Sequence, residues 1–166
     1  AYVPSQGWFT ARSILCSVSI GALHARKIDF GKFWTPEKEE SLRFIVPGHH
    51  SKVSIRFQEK FWPEEMSMLN HIDASTRQAG KTYFVPNYEL RGMPPVLTAL
   101  IMGDDAKRIQ ALSDTDLLRT ICADLDNVFP GAAPTFQRIA RRQDASLIYN
   151  RKQWMDDPFA LGGNSY

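Results

Sequence analysis

The chain has 166 residues, 43% of them hydrophobic and 23% charged, the make-up of an ordinary globular domain long enough to bury a core. Its formal net charge of +2 is too small to argue for a nucleic-acid partner or an acidic membrane surface. No apolar run reaches the roughly 18 residues that a membrane-spanning helix needs.

In chain order, residues 8–19 read as a strand, with Trp8, Phe9, Ile14, Leu15 and Val18 in short β-rich runs. Residues 22–30 read as a second extended or irregular piece. Thr35-Pro36 opens a helix, Thr as N-cap and Pro at the first position, where its missing N–H costs nothing. Glu37, Glu39 and Glu40 suit the positive end of that helix, and Pro47-Gly48 ends it. Residues 51–57 alternate, with Val53, Ile55 and Phe57 on one side and Lys52, Ser54 and Arg56 on the other, as in a half-buried strand. Residues 63–81 predict a loop or short helix, and residues 82–85 a short strand. A turn-rich stretch follows over 86–95. The apolar run 96–102 predicts a strand covered on both faces. A short helix over 104–111 precedes a longer one capped by Ser113, with Leu117, Leu118, Ile121, Cys122 and Leu125 recurring on one face. Residues 135–142 and 147–149 read as strands. The sum is an α+β fold, a mixed β-sheet flanked by helices.

Spacing alone says little about chemistry. There is no Gly-rich phosphate loop, nucleophile elbow or metal-ligand cluster. His49 and His50 are adjacent, so their side chains diverge, and no Cys or carboxylate stands at ligand spacing; no metal site is expected. Cys16 and Cys122 sit in apolar runs and read as buried thiols. Arg138, Arg141, Arg142, Arg151 and Lys152 read as a solvated basic face. Glu64, Glu65 and Asp73 could attract a polyamine or simply edge a solvated loop. Lys52 follows a helix-breaking Pro-Gly on the less apolar side of its strand, a pattern open to an exposed lysine or to one facing a cavity. Residues 154–163, with Asp-Pro between two aromatics and two glycines after them, mark an irregular path where backbone and ligand can approach closely. The chain does not begin with Met and stops in Gly162-Gly163-Asn164-Ser165-Tyr166, so both ends read as cut from a longer polypeptide.

Four stretches, in order, resemble the flavin-containing amine oxidases, the group of polyamine oxidases, monoamine oxidases and lysine-specific histone demethylases. Ser17-Val18-Ser19-Ile20-Gly21-Ala22-Leu23 followed by Ile28-Asp29-Phe30 is similar to T-V-P-L-G-V-L then I-x-F, with Ser19 in place of the usual Pro. Gly48-His49-His50-Ser51-Lys52-Val53, then Phe57 and Phe61-Trp62, resembles G-x-x-x-K-V…F…F-W. Residues 95–104 and Leu112-Ser113-Asp114 resemble P-V-L-x-A-L-x-x-G then L-S-D. Trp154 to Gly162 resembles W-x-x-D-P-[YFW]-x-x-G.

The resemblance implies the substrate domain of a two-domain FAD-dependent amine oxidase. Residues 1–24 would form an edge of the FAD-binding domain, 25–150 the substrate-binding domain and 151–166 a return segment toward the flavin. The dinucleotide fingerprint that holds the pyrophosphate would lie outside this sequence. The implied chemistry is oxidation of an amine C–N bond by hydride transfer to flavin, giving an imine, with dioxygen reoxidising the flavin to hydrogen peroxide. Lys52 corresponds to the lysine that holds a water beside the flavin, the catalytic and cofactor-contacting residue. Trp154 and Phe159 correspond to aromatics at the cofactor, and Phe159, Asn164 and Tyr166 to the substrate pocket. Asn164 stands where the family often has a Tyr wall, and Tyr166 shares a strand face with it. The implied partners are a small-molecule amine, dioxygen and the remainder of the same polypeptide, and these 166 residues alone are expected to be inactive. Another flavoprotein of the same build, such as a desaturase or porphyrinogen-type oxidase, is disfavoured by the pairing of Lys52 with the 154–162 stretch. A degenerate, non-enzymatic binding domain is the other alternative.

Overall fold

The structure is a computed structural model, which describes residues 1–72, 81–86, 92–131 and 133–165. Two short strands, β1 (Tyr2–Val3) and β2 (Gly7–Trp8), pair with each other. Helix α1 (Ile20–His24) follows, then α2 (Pro36–Arg43). The main sheet is built from β3 (His50–Arg56), β4 (Met68–His71), β5 (Lys81–Phe84), β6 (Val96–Met102) and β7 (Tyr149–Gln153). Helices α3 (Gly103–Gln110) and α4 (Asp114–Val128) lie between β6 and β7 in sequence. The strand order is β4-β5-β6-β3-β7, and every pairing is antiparallel. The α+β class expected from the sequence is borne out.

Local chemistry explains the helix ends. The Thr35 hydroxyl accepts from the Lys38 N–H at 3.4 Å, and the Ser113 hydroxyl accepts from the Asp116 N–H at 3.1 Å; each satisfies a donor that has no partner inside the helix. Acidic residues fill the first turns of α2, α3 and α4, where the helix dipole favours them.

The sheet has two unlike faces. Val53, Ile55, Leu97, Ala99, Ile101 and Tyr83 point to one side, each no more than 1% exposed. They pack with Ala106 and Ile109 of α3 and with Leu117, Leu118, Ile121, Cys122 and Leu125 of α4. A fully buried aliphatic side chain of this kind contributes about 1.5–3 kcal/mol. Phe57, Phe61 and Trp62 close one end of this core through edge-to-face ring contacts at 4.9–6.0 Å. The outer face, turned away from α3 and α4, carries Lys52, Ser54 and Arg56 of β3, Thr98 and Leu100 of β6, Thr82 and Phe84 of β5, and Asn150 and Lys152 of β7.

Five sequence expectations need correction. Residues 8–19 form no strand beyond Trp8; the following apolar residues Ile14 and Leu15 are exposed, at 66% and 94%, with no strand partner among the described residues. Residues 20–24 are helical rather than extended because the Ser19 hydroxyl caps them. β4 arises inside the stretch expected to be loop or helix, because Met68, Leu69, Asn70 and His71 find β5 to pair with. Residues 135–138 form a 3-10 turn, anchored where the Asp126 carboxylate accepts from the Thr135 N–H at 2.7 Å; only isolated bridges at Ile139 and Arg141 remain of the expected strand. Cys16 is exposed, whereas Cys122 is buried as expected, and burial pushes its thiol pKa up to about 12.

Candidate functional site at the outer face of the sheet

Lys52 lies in the middle of β3, opposite Leu100 of β6 on one side and Lys152 of β7 on the other. Cross-strand partners share a face, so both ammonium groups belong to the outer face. The Lys52 Nζ stands 5.1 Å from the centre of the Phe84 ring. It has no carboxylate partner among the described residues. Beneath it, the Ser54 and Thr98 hydroxyls hydrogen-bond at 2.9 Å, and Thr98 is fully buried. The floor therefore holds a satisfied polar pair between partly exposed apolar groups, Phe84 and Leu100.

The strand β7 extends this face to Trp154. The Trp154 N–H donates to the His50 carbonyl at 3.3 Å, continuing the ladder one residue past β7. Lys152 Nζ stands 4.8 Å from the centre of the Trp154 ring and donates to Asp157 Oδ2. Asp157 Oδ1 accepts from the N–H groups of Phe159 and Ala160 at 2.9 and 3.1 Å. The Lys152 ammonium beside it, then these backbone donors, hold the Asp157 carboxyl below the ordinary carboxylate range. Lys152 thus ties the aromatic ring of Trp154 to the turn that follows it.

Beyond that turn the chain crosses between α1 and the segment before β3. The Ser19 hydroxyl donates to the Ala160 carbonyl at 2.6 Å. Gly48 and Asn164 pair through the Gly48 N–H at 2.9 Å, and Gly163 donates to the Gly48 carbonyl at 2.7 Å. The crossing is too tight for side chains: a β-carbon on Gly21 would fall on the Leu161 carbonyl oxygen, and one on Gly163 would fall on the His50 ring.

The structure therefore brings Lys52 and Trp154 to one face. Phe159 lies past the turn, 85% exposed, with no ring contact to Trp154 among the described residues. Asn164 is exposed and engages Gly48 through its backbone carbonyl. Tyr166 and Asp73 lie outside the described residues. Two basic residues read from sequence as a solvated face are not free. Lys152 belongs to the site. Arg151, its neighbour on the other face with a side chain 11% exposed, donates to the carbonyls of Ile109, Gln110 and Leu112 and to Asp114 Oδ1 at 2.7–3.1 Å. It caps the end of α3 and ties β7 to the start of α4. Alternation along β7 was the available signal for separating these two roles.

Residues 3–166 match the family described as flavin containing amine oxidoreductase. The chain belongs to that family. It is 30% identical over 164 residues to polyamine oxidase 3 of Oryza sativa subsp. japonica, covering 99% of this chain and 31% of the relative. It is 26% identical over 152 residues to lysine-specific histone demethylase 1 homolog 1 of Arabidopsis thaliana, covering 92% and 17%. The fold is similar to cyclohexylamine oxidase from Brevibacterium oxydans IH-35A, with a TM-score of 0.57 and 16% identity, covering 87% of this chain and 29% of that one. The chain thus spans less than a third of the length of these relatives.

The family's flavin suits the side chains of the outer face. An ammonium free of any carboxylate among the described residues, at Lys52, can donate to an electron-rich heteroatom, and the Trp154 ring, 39% exposed, offers a flat apolar wall. No helix among the described residues is long and apolar enough to cross a membrane, and no group of three or more His, Cys, Asp or Glu side chains there could hold a metal.

Proposed function

We propose that the protein is an FAD-dependent amine oxidase and that these residues are its substrate-binding half, with the outer face of the sheet turned toward the flavin. The observation that carries the reading is the position of Lys52, held mid-strand over Phe84, free of a carboxylate partner among the described residues and two strand positions from Trp154's partner His50. When bound, the flavin supplies acceptance of hydride from the carbon beside the amine nitrogen and is reoxidised by dioxygen to hydrogen peroxide. The chain's own residues do the rest. Lys52 donates to a water at the reacting position and stabilises negative charge developing there. Trp154, its ring backed by Lys152, walls the cofactor. Phe159 and Asn164 edge the substrate pocket, with Tyr166. The layer of α3 and α4 makes the back of the sheet rigid. Residues 1–24 belong to the edge of the cofactor domain, 25–150 to the substrate domain and 151–166 to the return segment. The 166 residues alone are inactive, since the pyrophosphate-binding fingerprint is not among them.

The test is the visible spectrum of the complete reading frame under anaerobic conditions, before and after addition of benzylamine and of spermidine. Yellow protein that bleaches with an amine supports the oxidase reading. Well-folded protein that takes up no added flavin overturns it.

A further inference from the structure

The five strands of the main sheet read HSKVSIR, MLNH, KTYF, VLTALIM and YNRKQ, without one Asp or Glu. The outer face carries three cations, Lys52, Arg56 and Lys152. Lys152 is neutralised by Asp157. Lys52 and Arg56 have no ion pair among the described residues, and the exposed Arg56 has no side-chain hydrogen bond there either. Lys52 and Lys152 are direct cross-strand partners, an arrangement in which like charges repel and cost the sheet stability. Folding gains nothing from placing these charges together. A ligand of opposite charge does, through the summed potential of Lys52 and Arg56.

We infer that the amine this face accepts carries a carboxylate elsewhere in the same molecule, and that Arg56 recognises it. Arg56 lies four residues from Lys52 on the same strand face, roughly 13 Å along the strand. Its guanidinium is the one group of the three able to grip a carboxylate with two parallel hydrogen bonds. A polyamine, with a second ammonium in place of the carboxylate, meets repulsion from Arg56. The inference rests on the oxidase reading and deepens it by naming the substrate class.

The test uses the complete flavin-loaded protein and three amines of one chain length: pentylamine, 5-aminopentanoate and 1,5-diaminopentane. The concentration giving half-maximal flavin reduction is expected to be lowest for 5-aminopentanoate and highest for the diamine. Arg56→Gln is expected to raise it about tenfold for 5-aminopentanoate, the value of one charge-assisted pair, and to leave pentylamine within twofold. Lys27→Gln, the same charge change on an exposed residue outside the sheet, is expected to change neither. Equal values for the three amines, or the lowest for the diamine, overturn the inference and leave the oxidase reading standing. Should none of the three reduce the flavin, binding decides the inference instead. Thermal stabilisation by pentanoate over pentylammonium, lost in Arg56→Gln, then supports carboxylate recognition, and equal stabilisation overturns it.

Discussion

Lys52 and Lys152 stand opposite each other on neighbouring antiparallel strands, with both side chains on the face turned away from α3 and α4. Their Cα atoms are roughly 5.5 Å apart in a hydrogen-bonded pair of this kind. The two charges are kept apart by different partners: Lys52 leans over Phe84, while Lys152 turns to Trp154 and Asp157.

This arrangement separates function from stability at Lys52. Lys52→Met is expected to slow flavin turnover with an amine by on the order of a hundredfold, the usual effect of losing one preorganised donor. Stability should stay constant or rise by about 0.2–1 kcal/mol, because a like-charge pair is removed. Stopped-flow absorbance and urea unfolding measure the two. A clear loss of stability would show that Lys52 holds the sheet together rather than serving the site.

On the opposite face, Lys81 of β5 donates to Asp124 of α4, and the Tyr83 hydroxyl donates to the same carboxylate at 3.2 Å. The side chains of Lys81 and Asp124 are only 7% and 18% exposed. Asp124→Ala should cost about 3–5 kcal/mol, because it strands a buried ammonium. Lys81→Met combined with Asp124→Leu should recover most of that loss in urea unfolding. If the double variant is no more stable than the single one, the carboxylate matters chiefly to Tyr83.

The crossing of the C-terminal segment gives a steric prediction. Gly21→Ala and Gly163→Ala should each cost about 1–3 kcal/mol by overpacking and speed hydrogen exchange across residues 157–165. Gly131→Ala is the control, since its β-carbon would meet nothing nearer than Arg138 Nη1 at an ordinary 3.5 Å. Equal effects at all three positions would remove the argument from close approach.

Acid sensitivity should centre on Asp114. The Tyr149 hydroxyl at 2.5 Å, then Arg151 at 2.7 Å, hold its carboxyl below the ordinary value of 3.8. A carboxyl depressed in the folded chain contributes fully above its unfolded value and loses that contribution as pH falls through the folded one. Asp114→Asn should therefore lower stability at neutral pH and flatten its decline below about pH 4. Thermal unfolding across pH 2–7 reads this out, and an unchanged slope in the variant would assign the acid sensitivity to other carboxyls such as Asp157.

Much of the fold was legible because its causes are local. Thr35 and Ser113 announced their helices by capping chemistry, the stripe from Leu117 to Leu125 announced α4, and the alternation about Val53 announced β3. Expectation failed where a partner elsewhere in the chain decides the outcome. Residues 9–19 have strand-forming side chains but no strand to pair with among the described residues, and Met68 to His71 have a weak pattern but gain β5. At the site, the resemblance drew attention to Lys52 and Trp154, whereas Lys152 passed as one member of a basic run.

By itself, then, the sequence determined the family, the α+β class, the helix caps and which side of β3 is buried, since each follows from neighbours in the chain or from motifs in order. Only the tertiary structure decided that Lys152 faces Lys52, that Arg151 turns the other way to cap α3, and that Asp157 pairs with Lys152 while Lys52 has no carboxylate partner among the described residues. The physical reason is register: which residues of distant strands stand opposite is set by long-range pairing and core packing together, and a local pattern fixes the face of a side chain but not the neighbour it meets there.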